Sequence, residues 1–281
     1  MAKQQQEKSF WQKLIGIDRR VIYLIIALAM ILPFFFQMGL PIPVTDEVKR
    51  VYDYVEGLTP TDCVVLSADF SPSVAPELSP MFEAVFRHCL KNKVKVLVIS
   101  LLPQGPGLVE PVVQQAARDH RATNGVDYAF LGYQYGFSLV IMRMMENIEA
   151  AFPNDYYGTK TSDLPVMKNI HNYEEIDLIV SLTGSSNHRV WLTYAHEPYN
   201  VPVAPGVTAV IAADVYPYLQ SKQFIGMLGG LKGAAEYETL IEEKKMASMG
   251  MEAQNWAHIV IILFIIIGNI GFFAIKRQER A

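Results

Sequence analysis

The sequence predicts an α/β protein: a Rossmann-like or flavodoxin-like three-layer domain with a mainly parallel sheet of about five strands, flanked by two transmembrane helices. Short, continuously apolar runs (CVVLSADF, VKVLVISLL, VDYAFLGYQYG, IDLIVSLTG and a weaker VPVAPG) have the length of strands buried on both faces. Between them lie segments with apolar residues at helical spacing, the pattern of helices laid over a parallel sheet. Apolar runs free of Asp, Glu, Lys and Arg near both ends of the 281-residue chain predict the membrane helices.

Residues 1–20 form a basic amino-terminal segment in which Phe10, Trp11, Leu14 and Ile15 suit a short interfacial helix. Residues 21–44 contain VIYLIIALAMILPFFFQMGL, long enough to cross a hydrocarbon core of roughly 30 Å, with a kink at Pro33. Ala27-Leu28-Ala29 offers a cleavage site, but the apolar run continues past it, which favours an uncleaved anchor. Residues 45–245 hold the domain. TDEVKRVYDYVEG reads as its first helix, with Thr45 as N-cap and Gly57 and Pro60 as the stop. Ser79-Pro80 reads as N-cap and first residue of a helix carrying Phe82, Val85, Phe86 and Cys89. The next helices carry Val109, Val112, Val113 and Ala116, then Phe137, Val140, Ile141, Met144 and Ile148, and another is expected around Val190 to Tyr194. From Ser221 a helix is expected in which Gly226, Gly229, Gly230 and Gly233 share one face. It would lead through Glu242, Glu243, Lys244 and Lys245 to the second span, residues 253–275, with residues 276–281 as a tail. Lys13, Arg19, Arg20, Lys276, Arg277 and Arg280 flank the outer ends of the spans, which places both termini in the cytoplasm of a cell inner-membrane protein and the domain outside it.

The strings YPYLQS and LGGLKGAAEYE, with LLPQGPGLVE and the IDLIV strand, resemble a group of bacterial two-span membrane proteins that carries no assigned activity. The resemblance implies the architecture and supplies no catalytic residues.

Ligands of open parallel sheets bind outside the carboxyl ends of the strands. Those ends offer Asp69 and Ser71, then Gln104, Gly105 and Gly107, then Tyr133 and Tyr135, then Thr183, Gly184, Ser185 and Ser186. The set suits a small polar ligand, and equally suits ordinary strand-to-helix turns, where Gly, Ser and Asp serve capping. Gly105-Pro106-Gly107 departs from a dinucleotide fingerprint because Glu110 stands in the third glycine's place, where a carboxylate repels pyrophosphate. Ser185 and Ser186 lack a nucleophile elbow. His171 with Glu174, and His196 with Glu197, fall short of metal-ligand spacing. No catalytic residue, metal, cofactor or nucleic-acid partner is expected.

Cys63 and Cys89 admit a disulfide, but the apolar stripe around Cys89 favours a buried thiol. The segment Pro153 to Glu175, over twenty residues long, is expected at the amino edge of the sheet, where Tyr156, Tyr157, Met167 and Tyr173 would meet another protein. Gly268, Asn269 and Gly271 form a small-residue patch in the second span. Three surfaces suited to association, the glycine face, the long loop and this patch, indicate a non-enzymatic scaffold or assembly subunit, self-associating or joined to other membrane proteins in the bilayer. The alternative is a membrane-tethered module that binds or senses a small ligand at the carboxyl edge.

Overall fold

The computed structural model describes residue 11 and residues 16–36 and 41–278. The chain forms two units, Met1–Pro41 with Met249–Ala281, and Ile42–Ser248. In the first, α1 (Arg19–Ile31) starts behind Asp18, whose carboxylate accepts the Arg20 N–H, and gives way to a 3-10 turn at Leu32–Phe34. Pro33 supplies no amide hydrogen to continue the α ladder. At 13 residues α1 is about 20 Å long, short of a bilayer core. Residues 37–40, needed to complete the expected first span, lie outside the described residues, as do Phe10, Leu14 and Ile15.

The domain runs α2 (Asp46–Glu56), β1 (Cys63–Asp69), α3 (Ala75–Lys91), β2 (Lys95–Ser100), α4 (Gly105–His120), β3 (Tyr128–Tyr133), α5 (Phe137–Glu146), α6 (Ile148–Ala151) and β4 (Leu178–Thr183). It continues through a 3-10 turn (Ser186–Arg189), a π-helical turn (Leu192–His196) and α7 (Glu197–Tyr199), then β5 (Val203–Val207), α8 (Ala212–Gln220), β6 (Leu228–Gly229) and α9 (Gly230–Leu240). All pairings are parallel, in the order β3-β2-β1-β4-β5-β6. This is the Rossmann-like order, with one strand more than the sequence predicts, and it differs from the flavodoxin-like order. Because side chains alternate across a strand, Val65, Leu97, Ile99, Ala129, Ile179 and Val203 share a core with residues of α5, with Trp191 and with Val215 of α8. On the other side α3 packs against α4 and α9.

Two helix starts differ from expectation. The helix expected at Ser79-Pro80 begins at Ala75, with Pro76 in its first turn and Pro80 inside it. Thr45 precedes α2 as expected, but its hydroxyl and amide both donate to Glu236 of α9, at 2.6 and 2.8 Å, rather than closing the cap.

The glycine stretch is the larger correction. Residues 221–227 are turns, β6 follows, and the helix starts only at Gly230, so the four glycines share no helix face. A Cβ on Gly226 would collide with the Glu47 carbonyl and Val51. Gly230 has φ +60 and an added Cβ would lie 2.8 Å from Ala209, while at Gly233 it would lie 3.0 Å from the Leu228 backbone. These close approaches let α9 turn directly off the last strand. The expected continuous helix toward the second span is also absent: α9 ends at Leu240, and Glu242 takes a left-handed conformation, φ 61.

The long segment, Pro153 to Glu175, is tied to the sheet. It meets β3, the outer strand, where the Tyr156 N–H donates to Phe130 O at 2.7 Å and the Tyr156 ring lies tilted against Phe130, centroids 4.6 Å apart. The Phe130 N–H donates to Asn124 Oδ1, and Asn124 Nδ2 donates to the buried Asp155. The outward-facing amide and carbonyl of Phe130 are thereby answered at the sheet edge. Met167 and Tyr173 are core residues, each 1% exposed, whereas Tyr156 and Tyr157 stay partly exposed.

The last helix, α10 (Met246–Gln278), is fastened at its start by Glu238. That buried carboxylate accepts the Lys245, Ala247 and Ser248 amides and the Ser248 hydroxyl at 2.6–3.0 Å. Among the described residues α10 is the one helix long and apolar enough to cross a membrane, with a window of mean hydropathy 2.6. Gly268 on it is open, with nothing within 4 Å of an added Cβ, and Asn269 donates to Ile265 O of its own helix. Gly226→Ala is expected to destabilise the domain by about 2–4 kcal/mol through overpacking, and Gly268→Ala to change it by under about 0.5 kcal/mol. Chemical denaturation of the full chain measures both, and an unchanged midpoint for Gly226→Ala would refute the close approach.

Candidate functional site

The strand order reverses between β1 and β4, which makes the crevice above their carboxyl ends the topological switch point. Strand alternation sets Ser67 and Asp69 on one face of β1, and register sets them beside Ser181 and Thr183 of β4. All four are at most 1% exposed, so polar side chains fill a place that the rest of these strands gives to apolar ones.

Each has an identifiable state. Asp69 Oδ1 accepts the Leu101 N–H at 2.6 Å and Oδ2 accepts the Ser67 hydroxyl at 2.6 Å. Burial pushes its carboxyl up to about 6, against the opposing pull of those two hydrogen bonds. The Thr183 hydroxyl lies 3.1 Å from the Ser185 hydroxyl and accepts the Ser185 N–H. His188, fully buried on the turn after β4, places Nδ1 3.2 Å from Ser185 O. Burial pushes the ring's pKa down, against the pull of that carbonyl, so the ring is neutral and carries its hydrogen on Nδ1. Its Nε2 is then a bare acceptor, and neither it nor Ser181 Oγ has a hydrogen-bond partner among the described residues. Buried polar atoms without partners are rare and mark the places where a water or ligand is accommodated.

Of the residues expected here, Asp69 and Thr183 are brought together as cross-strand neighbours. Ser185 and Ser186 form an exposed rim above them, and Ser71, half-buried, pairs with Ser73 at 2.9 Å. Gly105 and Gly184 serve packing: a Cβ on Gly105 would collide with Ala68 O and Ser100 Oγ, and one on Gly184 would press on Val74. Gln104 is exposed at the start of α4, and Gly107 is open. Tyr133 ends β3 and the 88% exposed Tyr135 follows it, two strands from β1 and so about 10 Å away across the sheet. Ser67, Ser181 and His188 went unpredicted. Their signal was a polar residue two places before Asp69 and before Thr183, the strand period inside an apolar run.

Other candidates have local roles. Glu110 accepts Gln114 Nε2 at 2.9 Å, Glu175 accepts the His171 and Asn172 amides, and His196 Nδ1 lies 3.0 Å from Val201 O. Among the described residues no group of three His, Cys, Asp or Glu side chains is placed to hold a metal ion. Cys63 and Cys89 are buried free thiols, and burial pushes both up, Cys89 to about 12. Comparison of the chain with protein-family models, curated proteins and solved structures finds no match.

Asp69 fixes a pH dependence. Its folded value lies above the unfolded one, so between pH 4 and 6 the folded state binds more protons and stability falls as pH rises. The charged form costs about 3 kcal/mol above pH 6, and nothing below pH 4, where both states are protonated. Asp69→Asn is expected to remove this slope, being more stable than the parent at pH 7.5 and not at pH 3.5. Parallel pH–stability curves for the two proteins would refute it.

Proposed function

We propose that the chain is a membrane-anchored α/β module that binds a small polar ligand at the switch point between β1 and β4. One observation carries this reading: Ser67, Asp69, Ser181 and Thr183 are buried side by side where open parallel sheets bind ligands, with Ser181 Oγ and His188 Nε2 left unpartnered. Ser185, Ser186, Ser71 and Gln104 form the polar rim through which a ligand is reached. In this reading α10 is one anchor and residues 21–44 a second, which gives a two-span protein of the cell inner membrane with cytoplasmic termini and an extracytoplasmic domain.

The scaffold reading keeps a narrower footing. Gly226, Gly230 and Gly233 are engaged inside the domain, and the long segment is engaged on β3. What favours association is the outer face of α5, where Leu139 and Met142 are 46% and 41% exposed next to the protruding Tyr135, together with the open Gly268.

Thermal unfolding of the detergent-solubilised full chain against a panel of polar metabolites tests the proposal. A true ligand at about 100 times its Kd stabilises by about 2.7 kcal/mol, a shift of several degrees. Ser181→Ala and Thr183→Val are expected to reduce that shift at least about tenfold in affinity, each removing about 1.4 kcal/mol. A panel without any shift, or shifts that both variants retain, would count against binding at this crevice.

A further inference from the structure

The opposite end of the sheet carries a second feature. Between the amino ends of β2 and β3 lies a cleft of about 410 Å³, lined by Leu90, Lys91, Lys93, Val94, His120, Arg121, Ala122 and Asp127. That volume lies within the range of small-molecule sites. The side chains of Lys91, Lys93 and Arg121 are exposed, and none of them makes a hydrogen bond or ion pair among the described residues. The acids nearby are engaged elsewhere. Asp127 accepts the Thr123 N–H at 2.7 Å, Glu56 is held by His88 and Asn92, and Glu243 lies 3.6 Å from Arg87 and 3.9 Å from His120.

Helix ends account for part of this charge. The cleft collects the carboxyl ends of α3 and α4, each equivalent to about half a negative charge, which Lys91 and His120 suit. Three cations against Asp127 and two such helix ends still leave a net charge of about +1 in the cleft. Lys93 and Arg121 also adopt left-handed backbone, φ 58 and 56, at helix ends where Gly or Asn is usual. Lys222 and Glu242 share that conformation elsewhere, so the backbone alone marks nothing. What sets Lys93 and Arg121 apart is that both residues line one cavity.

From this geometry we infer that the amino-edge cleft is an oxyanion site that takes a phosphate group, with Arg121 offering its planar fork and Lys91 and Lys93 compact charges. The group belongs either to a soluble phosphate ester or to an anionic lipid headgroup. The site is separate from the switch point and does not rest on the reading given to it.

Lysine acylation of the full chain, read by mass spectrometry, tests the site with Lys222, also exposed, as internal control. In detergent, millimolar inorganic phosphate or glycerol phosphate is expected to slow modification of Lys91 and Lys93 about tenfold relative to chloride at equal ionic strength, leaving Lys222 unchanged. Nanodiscs of phosphatidylcholine with and without phosphatidylglycerol form the second arm. Protection that needs phosphatidylglycerol assigns the headgroup, and protection by free phosphate assigns the soluble ester. Arg121→Asn, whose new side chain tolerates the left-handed backbone, is expected to abolish protection without lowering the unfolding temperature. Equal modification of all three lysines in both arms, or protection undiminished in Arg121→Asn, would overturn the inference.

Discussion

A parallel sheet covered on both faces leaves no water to its central strands, so every polar side chain placed there must be answered from within the protein. The constraint explains most of the domain. The apolar runs exist because six parallel strands are flanked by helices on both sides, and on the outer strand β3 the Phe130 carbonyl is answered by Tyr156 of the long segment and its amide by Asn124, which Asp155 of that segment holds. Ser100 obeys it by bonding Ala68 O at 2.7 Å. At the switch point Asp69 satisfies it with both oxygens, while Ser181 Oγ and His188 Nε2 do not. Trp191 Nε1, in the same core, is likewise unpartnered among the described residues, but Ser181 Oγ lies at the strand ends where ligands of such sheets bind.

The strands and most helices were legible because burial on both faces writes itself as continuous hydrophobicity, and burial on one face as a 3.6-residue stripe. Phe82, Val85, Phe86 and Cys89 are all buried as that stripe requires. The failures have local causes. Gly226, Gly229, Gly230 and Gly233 fall at helical spacing, yet three of them answer separate demands, from the Glu47 carbonyl, from Ala209 and from the Leu228 backbone. Periodicity cannot tell a shared face from three coincident close approaches. β6 has two residues, too few to show any pattern. Pro80 suits a helix start in sequence because proline fits a first turn, but Pro76 fills that place and Pro80 stands one turn further in.

The site was half legible for a related reason. A topological rule finds strand ends, and it found Asp69 and Thr183. It is blind to what lies beneath them, because Ser67 and Ser181 sit within runs that read as core, and His188 is brought in by a turn. Gly105 and Gly184 show the converse: residues that look suited to a ligand are held by Ala68, Ser100 and Val74. Which of two similar-looking polar or glycine positions faces a ligand is decided by packing partners distant in sequence.

The two ends of the sheet also differ electrically, and the difference follows from chain direction. Helices that return from the carboxyl edge gather their amino ends there and their carboxyl ends at the amino edge, so the backbone alone favours anions at the switch point and cations opposite. The side chains follow this bias at both ends, and at the amino edge they exceed it. Asp69 brings a carboxyl to the edge where helix amino ends gather, and its buried state keeps it close to half-protonated near pH 6. Lys93 and Arg121 more than cancel the helix carboxyl ends opposite. Neither arrangement is needed to complete the fold, since Asn can occupy the left-handed positions and an uncharged isostere can bridge Ser67 to Leu101. Lys93 and Arg121 supply more charge than the helix carboxyl ends call for, and charge beyond the backbone's need is best accounted for by what it is there to meet.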